Sequence, residues 1–232
     1  MAIAGNIARI RERIDRAAAR AGRTSQEIAL MAVCKTKPTE AIREAWEAGQ
    51  RLFGENRVQE FAGKSALLRG MDGAQFHLIG HLQSNKAKPA AELFAAVDSV
   101  DSRKLGERLN AAASSLGKKL DILIEINVGG EAAKSGIAPG APELDEILEH
   151  AAEWKYLRVR GLMTVPPFTE DPEGARPYFR QLRELRDNIA KRGISLDQLS
   201  MGMSHDFEVA IEEGSTCVRV GTAIFGERPK PL

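Results

Sequence analysis

The sequence predicts an α/β fold in which eight parallel strands close into a (β/α)8 barrel, the TIM-barrel architecture. Three observations support this prediction. Short apolar runs alternate with longer helical patterns, the apolar runs number eight, and several helical patterns close on the glycine expected beyond a helix C-terminus. An open doubly wound sheet is the alternative, but no G-x-G-x-x-G follows the first apolar run.

An amphipathic helix precedes the first strand. Apolar residues recur at helical spacing from Ile3 to Ala21, and arginines fall largely on the other side. Because Glu12 and Asp15 lie among those arginines, a solvated face explains them better than a phosphate site. We expect this extra N-terminal helix to cover the bottom of the barrel.

The eight apolar runs have the length and composition of strands, and a helical pattern separates each from the next. We find no low-complexity linker and no repeat, so residues 1–232 are expected to form a single domain. The predicted strands are 28–34, 51–55, 76–80, 94–100, 120–128, 157–165, 198–203 and 217–221, and the predicted helices between them are 39–49, 58–70, 85–94, 102–117, 141–154, 171–193 and 204–214.

Composition excludes several classes of function. The net charge is +1 and the charged residues, 28% of the chain, have interspersed signs, so we expect no nucleic-acid partner. No stretch approaches the ~18 continuous apolar residues of a membrane span, and the N-terminus lacks a secretory apolar core. We therefore expect a cytoplasmic protein with no membrane partner. Cys34 and Cys217 lack C-x-x-C spacing and are expected to be buried thiols.

The first strand ends on a lysine without an intervening turn residue. If Lys35 points into the barrel, the alternation of side chains places Met31 and Val33 inside with it and Cys34 against the helices. Active sites of such barrels form where the strands end at their C-termini. The sequence therefore predicts that Lys35 lies inside the mouth of the barrel.

The last strand supplies a second cation. Val218 and Val220 share one side of this strand, which leaves Arg219 pointing inward. Closure makes the first and eighth strands neighbours, so Lys35 and Arg219 are predicted to converge, and their repulsion favours a neutral, nucleophilic amine. The alternative is that these cations pair with an acidic side chain such as Glu125.

Anion-binding elements follow strands seven and eight. Ser204 is predicted at the start of one helix, and Gly221 and Thr222 form another strand-to-helix junction. Barrels often hold a phosphate in these two loops. Ordinary N-capping explains either junction alone, but both together favour phosphate.

Two other sites are disfavoured. His77 and His81 have the i, i+4 spacing of a zinc helix, but HLIGH lacks the glutamate and is typical of a strand with glycine, so no metal is expected. A hydrolase centred on Ser204 lacks the G-x-S-x-G elbow, and His205 and Asp206 are expected to cap or orient. The breaker-rich stretch 166–177 is predicted to be a loop over one end of the barrel.

Eight stretches together resemble the pyridoxal phosphate homeostasis protein family, the single-domain relatives of the alanine racemase barrel. They extend from about residue 30 to residue 227. One departure is small: alanines at 132 and 133 stand where polar residues are common. The matching stretches are AVCKTKP, FGENRVQE, FHLIGHLQSNK, SVDS, IEINVGGEAAKSGI, RGLMTV, LSMGMSHDFEVAI and VRVGTAIFGER.

The resemblance implies a fold-type III barrel that binds pyridoxal 5'-phosphate as its cofactor. The family is held to buffer this form of vitamin B6 rather than to turn over amino acids. The residues it implies are Lys35 for the internal Schiff base, Ser204, Gly221 and Thr222 for the phosphate, Arg219 for the pyridine nitrogen, and Asn56 and Met203 near the ring or phosphate.

The sequence also bears on catalysis. The racemase relatives carry a second, β-rich domain and use a tyrosine from it as the opposing acid/base. Here the sequence ends at Leu232, six residues after FG, and its only tyrosines, Tyr156 and Tyr178, are not at predicted strand ends. We therefore expect a carrier that lacks a second proton relay and has no catalytic residues.

Two enzymatic alternatives remain open at this stage. One is a pyridoxal phosphate-dependent racemase or decarboxylase of narrow scope, and the other is a Schiff-base aldolase acting on a sugar phosphate. For the carrier, we expect a monomer whose partners are the cofactor and the apo-forms of enzymes that use it. Lys37, Lys86 and Lys134 flank the predicted mouth, where they could relay the cofactor or simply be surface charges.

Overall fold

The protein is a closed barrel of eight parallel strands. The computed structural model describes residues 2–131 and 134–227, so the alanines at 132 and 133 and the terminal Leu232 lie outside the described residues. Each strand pairs with its sequence neighbours, and the last pairs with the first, which confirms the predicted barrel. The strands are β1 Ala29–Val33, β2 Leu52–Glu55, β3 Gln75–Leu78, β4 Ala96–Val100, β5 Leu120–Glu125, β6 Leu157–Met163, β7 Gln198–Met203 and β8 Cys217–Val220.

Helices connect the strands on the outside of the barrel. All seven helices predicted between strands are present, several of them shorter than predicted, and short 3-10 turns flank some of them. No helix within the described ranges is long and apolar enough to cross a membrane. The helices are α1 Ile3–Arg20, α2 Thr39–Glu47, α3 Val58–Ser65, α4 Ala87–Leu93, α5 Arg103–Ser115, α6 Pro142–Ala151, α7 Arg176–Lys191, α8 Phe207–Glu212 and α9 Thr222–Phe225.

The N-terminal helix α1 does not cover the bottom of the barrel, so that prediction is wrong. It packs between α2 on one side and α8 and α9 on the other, within the outer ring of helices. The reason is the length of α9, which has four residues and cannot cover the seam between β8 and β1. Ile7, Ile10 and Ile14 of α1 fill that position and join the same hydrophobic core as Ile224 of α9.

The predicted alternation along β1 is confirmed. Leu30, Ala32 and Cys34 pack into the hydrophobic core that the helices share with the barrel. Met31 points the other way, since a side chain at Gly54 on the neighbouring strand would meet its sulfur at 2.8 Å. Strand β1 therefore presents one set of side chains to the helices and the other to the barrel interior.

Candidate functional site

A cavity of 420 Å³ opens at the C-terminal ends of the strands. Its volume lies within the roughly 300–1,000 Å³ typical of small-molecule sites. All seven residues predicted for the cofactor line this cavity, together with four that the sequence reasoning did not assign to it: Lys35, Asn56, Met203, Ser204, Arg219, Gly221 and Thr222, and in addition Val33, Ile79, Val165 and His205.

Lys35 and Arg219 reach the cavity from adjacent strands. Lys35 lies two residues beyond the end of β1 and is half-buried, while Arg219 lies within β8 and is 3% exposed. Met31 and Arg219 are direct partners in the register between β1 and β8. The sequence prediction that the two cations converge on one cavity is confirmed.

Neutral oxygens hold the Arg219 guanidinium inside the barrel. One terminal nitrogen donates to Ser200 Oγ at 2.7 Å and the other to the carbonyl oxygen of Thr164 at 2.7 Å. Burial lowers the pKa of Arg219, and the surrounding acidic groups oppose that effect. A guanidinium starts from so high a pKa that it stays charged at neutral pH. Arg219 therefore presents a fixed cation to the cavity.

Glu125 does not form the ion pair with Arg219 that the sequence left open. Its Oε1 accepts a hydrogen bond from Ser135 Oγ at 3.0 Å, and its Oε2 is buried without a hydrogen-bond partner among the described residues. Burial raises the pKa of Glu125, against the opposing effects of the Ser135 hydrogen bond and the Arg219 charge. Burial therefore destabilises the charged form of this carboxyl.

Ser204 and Gly221 join the two loops predicted to bind phosphate. The amide of Gly221 donates to Ser204 Oγ at 3.3 Å. The sequence predicts that the following helix starts at Ser204. This position is wrong, because α8 begins only at Phe207. Thr222 begins α9 and its side chain is exposed. Hydroxyl and amide donors from two loops thus meet at one end of the cavity, a donor set suited to a phosphate.

Asp206 orients the turn that carries Ser204, in line with the role the sequence suggested for it. Its Oδ1 accepts the amide hydrogen of Met203 at 2.6 Å. Gly202, with φ of +94°, precedes this turn, and a side chain there would lie 2.5 Å from Ala210 Cβ and 2.9 Å from Phe207 Cα. Glycine is therefore required for β7 to end against α8 with Ser204 at the mouth.

A second close approach places Asn56. A side chain at Gly80 would lie 2.3 Å from the carbonyl oxygen of Asn56, so the loops after β2 and β3 can meet only because residue 80 is glycine. Asn56 consequently borders both the 420 Å³ cavity and an adjoining cavity of 530 Å³, which also contains Glu125 and His81.

The three lysines predicted to flank the mouth have different surroundings. Lys37 Nζ donates to the carbonyl oxygens of Phe225 and Gly226 at 3.2 and 2.9 Å, at the end of α9. Lys134 lines the 530 Å³ cavity, and Lys86 lines a separate cavity of 560 Å³. None of the three lines the cavity that holds Lys35. Lys37 is accordingly a structural ligand of backbone carbonyls rather than a group facing the mouth.

The tyrosines, the metal-binding side chains and the cysteines bear on which reactions the site can support. Neither Tyr156 nor Tyr178 lines the cavity, since one precedes β6 at the opposite end of the barrel and the other lies in α7. Across residues 2–131 and 134–227, no group of three or more His, Cys, Asp and Glu side chains is arranged to hold a metal ion. Both cysteines are buried free thiols, as expected.

Comparisons with known proteins agree with this geometry. Residues 5–229 match the family model for the N-terminal domain of alanine racemase. The chain is 47% identical over 223 residues to the pyridoxal phosphate homeostasis protein of Aquifex aeolicus, covering 96% of each, and 45% identical over 230 residues to that of Escherichia coli K12, covering 97% of each. The chain belongs to the pyridoxal phosphate homeostasis protein family.

Solved structures place the family's fold on this chain. PipY of Synechococcus elongatus, whose structure has pyridoxal phosphate bound, is 36% identical with a TM-score of 0.84, covering 97% of this chain and 100% of PipY. An alanine racemase of Clostridium difficile is 16% identical with a TM-score of 0.72, covering 99% of this chain and 57% of the racemase. The racemase similarity shows the shared barrel alone.

Proposed function

We propose that this protein binds pyridoxal 5'-phosphate in the 420 Å³ cavity and takes part in pyridoxal phosphate homeostasis as a carrier that does not turn over amino acids. The observation that supports this most strongly is the meeting of an amine, a buried guanidinium and a set of hydroxyl and amide donors around one cavity. The names of the curated relatives with 45 and 47% identity state pyridoxal phosphate homeostasis, which supports that part of the proposal.

The residues present fit the groups of the cofactor. Ser204, Gly221 and Thr222 provide donors for the phosphate, and Arg219 can donate to the ring nitrogen. When bound, pyridoxal phosphate supplies an aldehyde that condenses reversibly with a primary amine. Lys35 is the one lysine of the described residues that lines the cavity, so its Nζ is the amine that we propose takes the aldehyde.

Two features favour storage over catalysis. Arg219 can give a hydrogen bond but keeps its proton, which withholds the positive charge that would make the ring a strong electron sink. In addition, neither tyrosine borders the cavity to serve as a second acid/base opposite Lys35. We propose on these grounds that the protein is a carrier, with apo-forms of pyridoxal phosphate enzymes as recipients and the monomer as its working form.

A titration tests binding and mode of attachment together. Adding pyridoxal phosphate to the purified protein should produce a visible absorbance band that disappears in Lys35→Ala. Lys37→Ala is the matched control, because this neighbouring lysine does not line the cavity, and it should keep the band. A colourless wild-type protein that is instead trapped covalently by a sugar phosphate would favour an aldolase and reject the proposal.

Deuterium exchange tests the absence of turnover. The loaded protein is incubated with each amino acid in D₂O, and loss of the α-proton is followed by NMR. We expect no exchange above that of free pyridoxal phosphate. Sustained exchange or decarboxylation with one amino acid would show that the protein is an enzyme of narrow scope and not a carrier. Sedimentation of the loaded protein tests whether it is a monomer. Activation of an apoenzyme by the loaded protein tests whether it delivers the cofactor.

A further inference from the structure

Lys35 lies beyond the end of the sheet, in a turn that the Lys37 amide closes by donating to the Cys34 carbonyl oxygen at 3.1 Å. Strand β1 ends at Val33, and the ladder bond from the Cys34 amide to the carbonyl oxygen of Gly54, at 2.9 Å, is the last to precede Lys35. Thr36 follows with φ of +62°, in the left-handed region that a β-branched residue rarely adopts. Such a conformation is strained and persists only when the surroundings impose it.

Two side chains of α3 bind the peptide groups on either side of Lys35. Lys64 Nζ donates to the carbonyl oxygen of Cys34 at 3.3 Å, on the N-terminal side. Glu60 Oε1 accepts the amide hydrogen of Thr36, on the C-terminal side. Glu60 and Lys64 are four residues apart, which places them on one face of α3, and they lie 3.3 Å from each other.

A buried carboxylate fixes this pair in place. Glu55, at the end of β2, is fully buried, and its Oε1 lies 2.6 Å from Lys64 Nζ and 3.1 Å from Cys34 Sγ. Burial raises the pKa of Glu55, while burial acts to lower the pKa of Lys64 but is outweighed by its bonds to Glu55. The ammonium is 12% exposed and remains a cation held between two carboxylates.

We infer that Lys64 and Glu60 are positioning residues, which hold both peptide groups next to Lys35 and so direct its amine into the cofactor cavity. This inference rests on the proposed function. Neither residue borders the 420 Å³ cavity, so they act through the backbone of Lys35 and not on the cofactor itself. Misplacing a reacting group by about 1 Å can cost up to about 100-fold in rate.

Substitution of Glu60 tests the inference with little risk to the fold, because this side chain is only partly buried. In Glu60→Ala, the borohydride-trapped adduct at Lys35 should form about tenfold more slowly. Glu60→Gln retains an acceptor oxygen and should restore most of the rate. Gln59→Ala is the control, since residue 59 is exposed on the same turn of α3, and it should match the wild type.

The Lys64 arm needs a different design. Lys64→Met alone leaves Glu55 as an unpaired buried charge, so the substitution is combined with Glu55→Gln to remove both charges. The double variant should also slow the adduct about tenfold. Its affinity for inorganic phosphate should equal that of the wild type, because the phosphate donors lie on other loops. An adduct rate in this folded double variant equal to that of the wild type would overturn the role of Lys64.

A second readout does not depend on the cofactor. In the cofactor-free protein, hydrogen exchange of the Thr36 amide should accelerate at least about tenfold in Glu60→Ala but not in Gln59→Ala. Unchanged exchange, or an adduct rate in Glu60→Ala equal to that of the wild type, would overturn the positioning role. If the wild type itself forms no adduct at Lys35, the proposed function fails, and the exchange measurement still decides whether Glu60 holds this turn.

Discussion

Met31 on β1 and Arg219 on β8 lie side by side in the register that closes the barrel. Both side chains point into the interior, and Arg219 lines the same cavity as Lys35, which lies two residues beyond the end of β1. Closure of the sheet thus brings an amine and a guanidinium from opposite ends of the sequence to one site. Because of this register, neither Lys35 nor Arg219 can be interpreted as a surface charge.

The phosphate end of the cavity can be tested separately from the amine. Ser204→Ala and Thr222→Val each remove one hydroxyl and should weaken binding of pyridoxal phosphate about tenfold, the effect of losing one hydrogen bond to a charged group. Binding of pyridoxal, which lacks the phosphate, should be unchanged. Equilibrium titration of both ligands makes this comparison, with the exposed Ser114→Ala as control. Equal losses for both ligands would place the phosphate elsewhere.

Replacing the Glu125 carboxyl by a neutral group is expected to raise the unfolding free energy of the protein. Burial raises the pKa of this carboxyl above its ordinary 4.5, and the side chain belongs to a residue that is 7% exposed. Below pH 4.5 both folded and unfolded chains are protonated. As the pH rises from there through the folded pKa, the wild type loses unfolding free energy, because the unfolded chain gives up this proton more readily than the folded protein. Each tenfold difference in proton affinity between the two states corresponds to about 1.4 kcal/mol.

Glu125→Gln cannot ionise, so its unfolding free energy relative to the wild type should increase between pH 4 and pH 8. Urea unfolding at several pH values measures this difference. Glu184→Gln, at an exposed position of α7, removes a carboxylate from the surface and is the control substitution. A difference for Glu125→Gln that shrinks with rising pH would contradict the effect of burial.

The contact of His77 with Asp98 also predicts a loss of unfolding free energy as the pH rises, in this case because a cation loses its proton. His77 Nδ1 lies 3.1 Å from Asp98 Oδ1, and the imidazole is 16% exposed. Burial alone lowers the pKa of His77, but the charge and hydrogen bond of Asp98 outweigh it, so this pKa lies above the ordinary 6.5. The stabilisation is complete below pH 6.5 and is lost as the pH rises through the folded pKa.

His77→Asn should therefore be most costly at acid pH. The loss of unfolding free energy relative to the wild type should be larger at pH 6 than at pH 9, because the stabilising proton is lost as the pH rises. Urea unfolding across this range provides the measurement. A difference that stays constant with pH would show that the pKa of His77 is the same in the folded and unfolded states, which would contradict the effect of Asp98.

Gly202 and Gly63 form a matched pair of glycine substitutions. Gly202→Ala introduces a side chain at positive φ against Ala210 and Phe207 and should lower the unfolding free energy by about 3 kcal/mol. Gly63, within α3, has open space where a side chain would go, so Gly63→Ala should raise the stability by up to about 1 kcal/mol. Thermal unfolding compares the two, and equal effects would contradict the close packing of β7 on α8.

Much of the fold and of the cavity lining could be predicted because both follow from periodicity. Alternation along β1 and β8 placed Lys35 and Arg219 inside, and that parity does not depend on distant contacts. The place of α1 could not be predicted, because it depends on α9 being too short to complete the ring. The sequence predicts that the helix begins at Ser204, but the turn closed by Asp206 delays the start of α8 to Phe207.

The contacts of α3 with the backbone near Lys35 also could not be predicted from the sequence. Glu60 and Lys64 fit the pattern of a solvated helical pair, and only the packing of α3 beside the end of β1 brings them to the peptide groups of Cys34 and Thr36. Ile79 and Val165, which line the cavity, could have been found by extending the strand-end rule to every strand.

Mass spectrometry after hydride trapping is the most direct test of the proposed function. The protein is loaded with pyridoxal phosphate, reduced with borohydride, digested and sequenced. The proposed function predicts a single major modification on Lys35, unchanged in amount in Lys37→Ala and absent in Lys35→Ala. A modification distributed over other lysines of the wild type, or none at all, would contradict it.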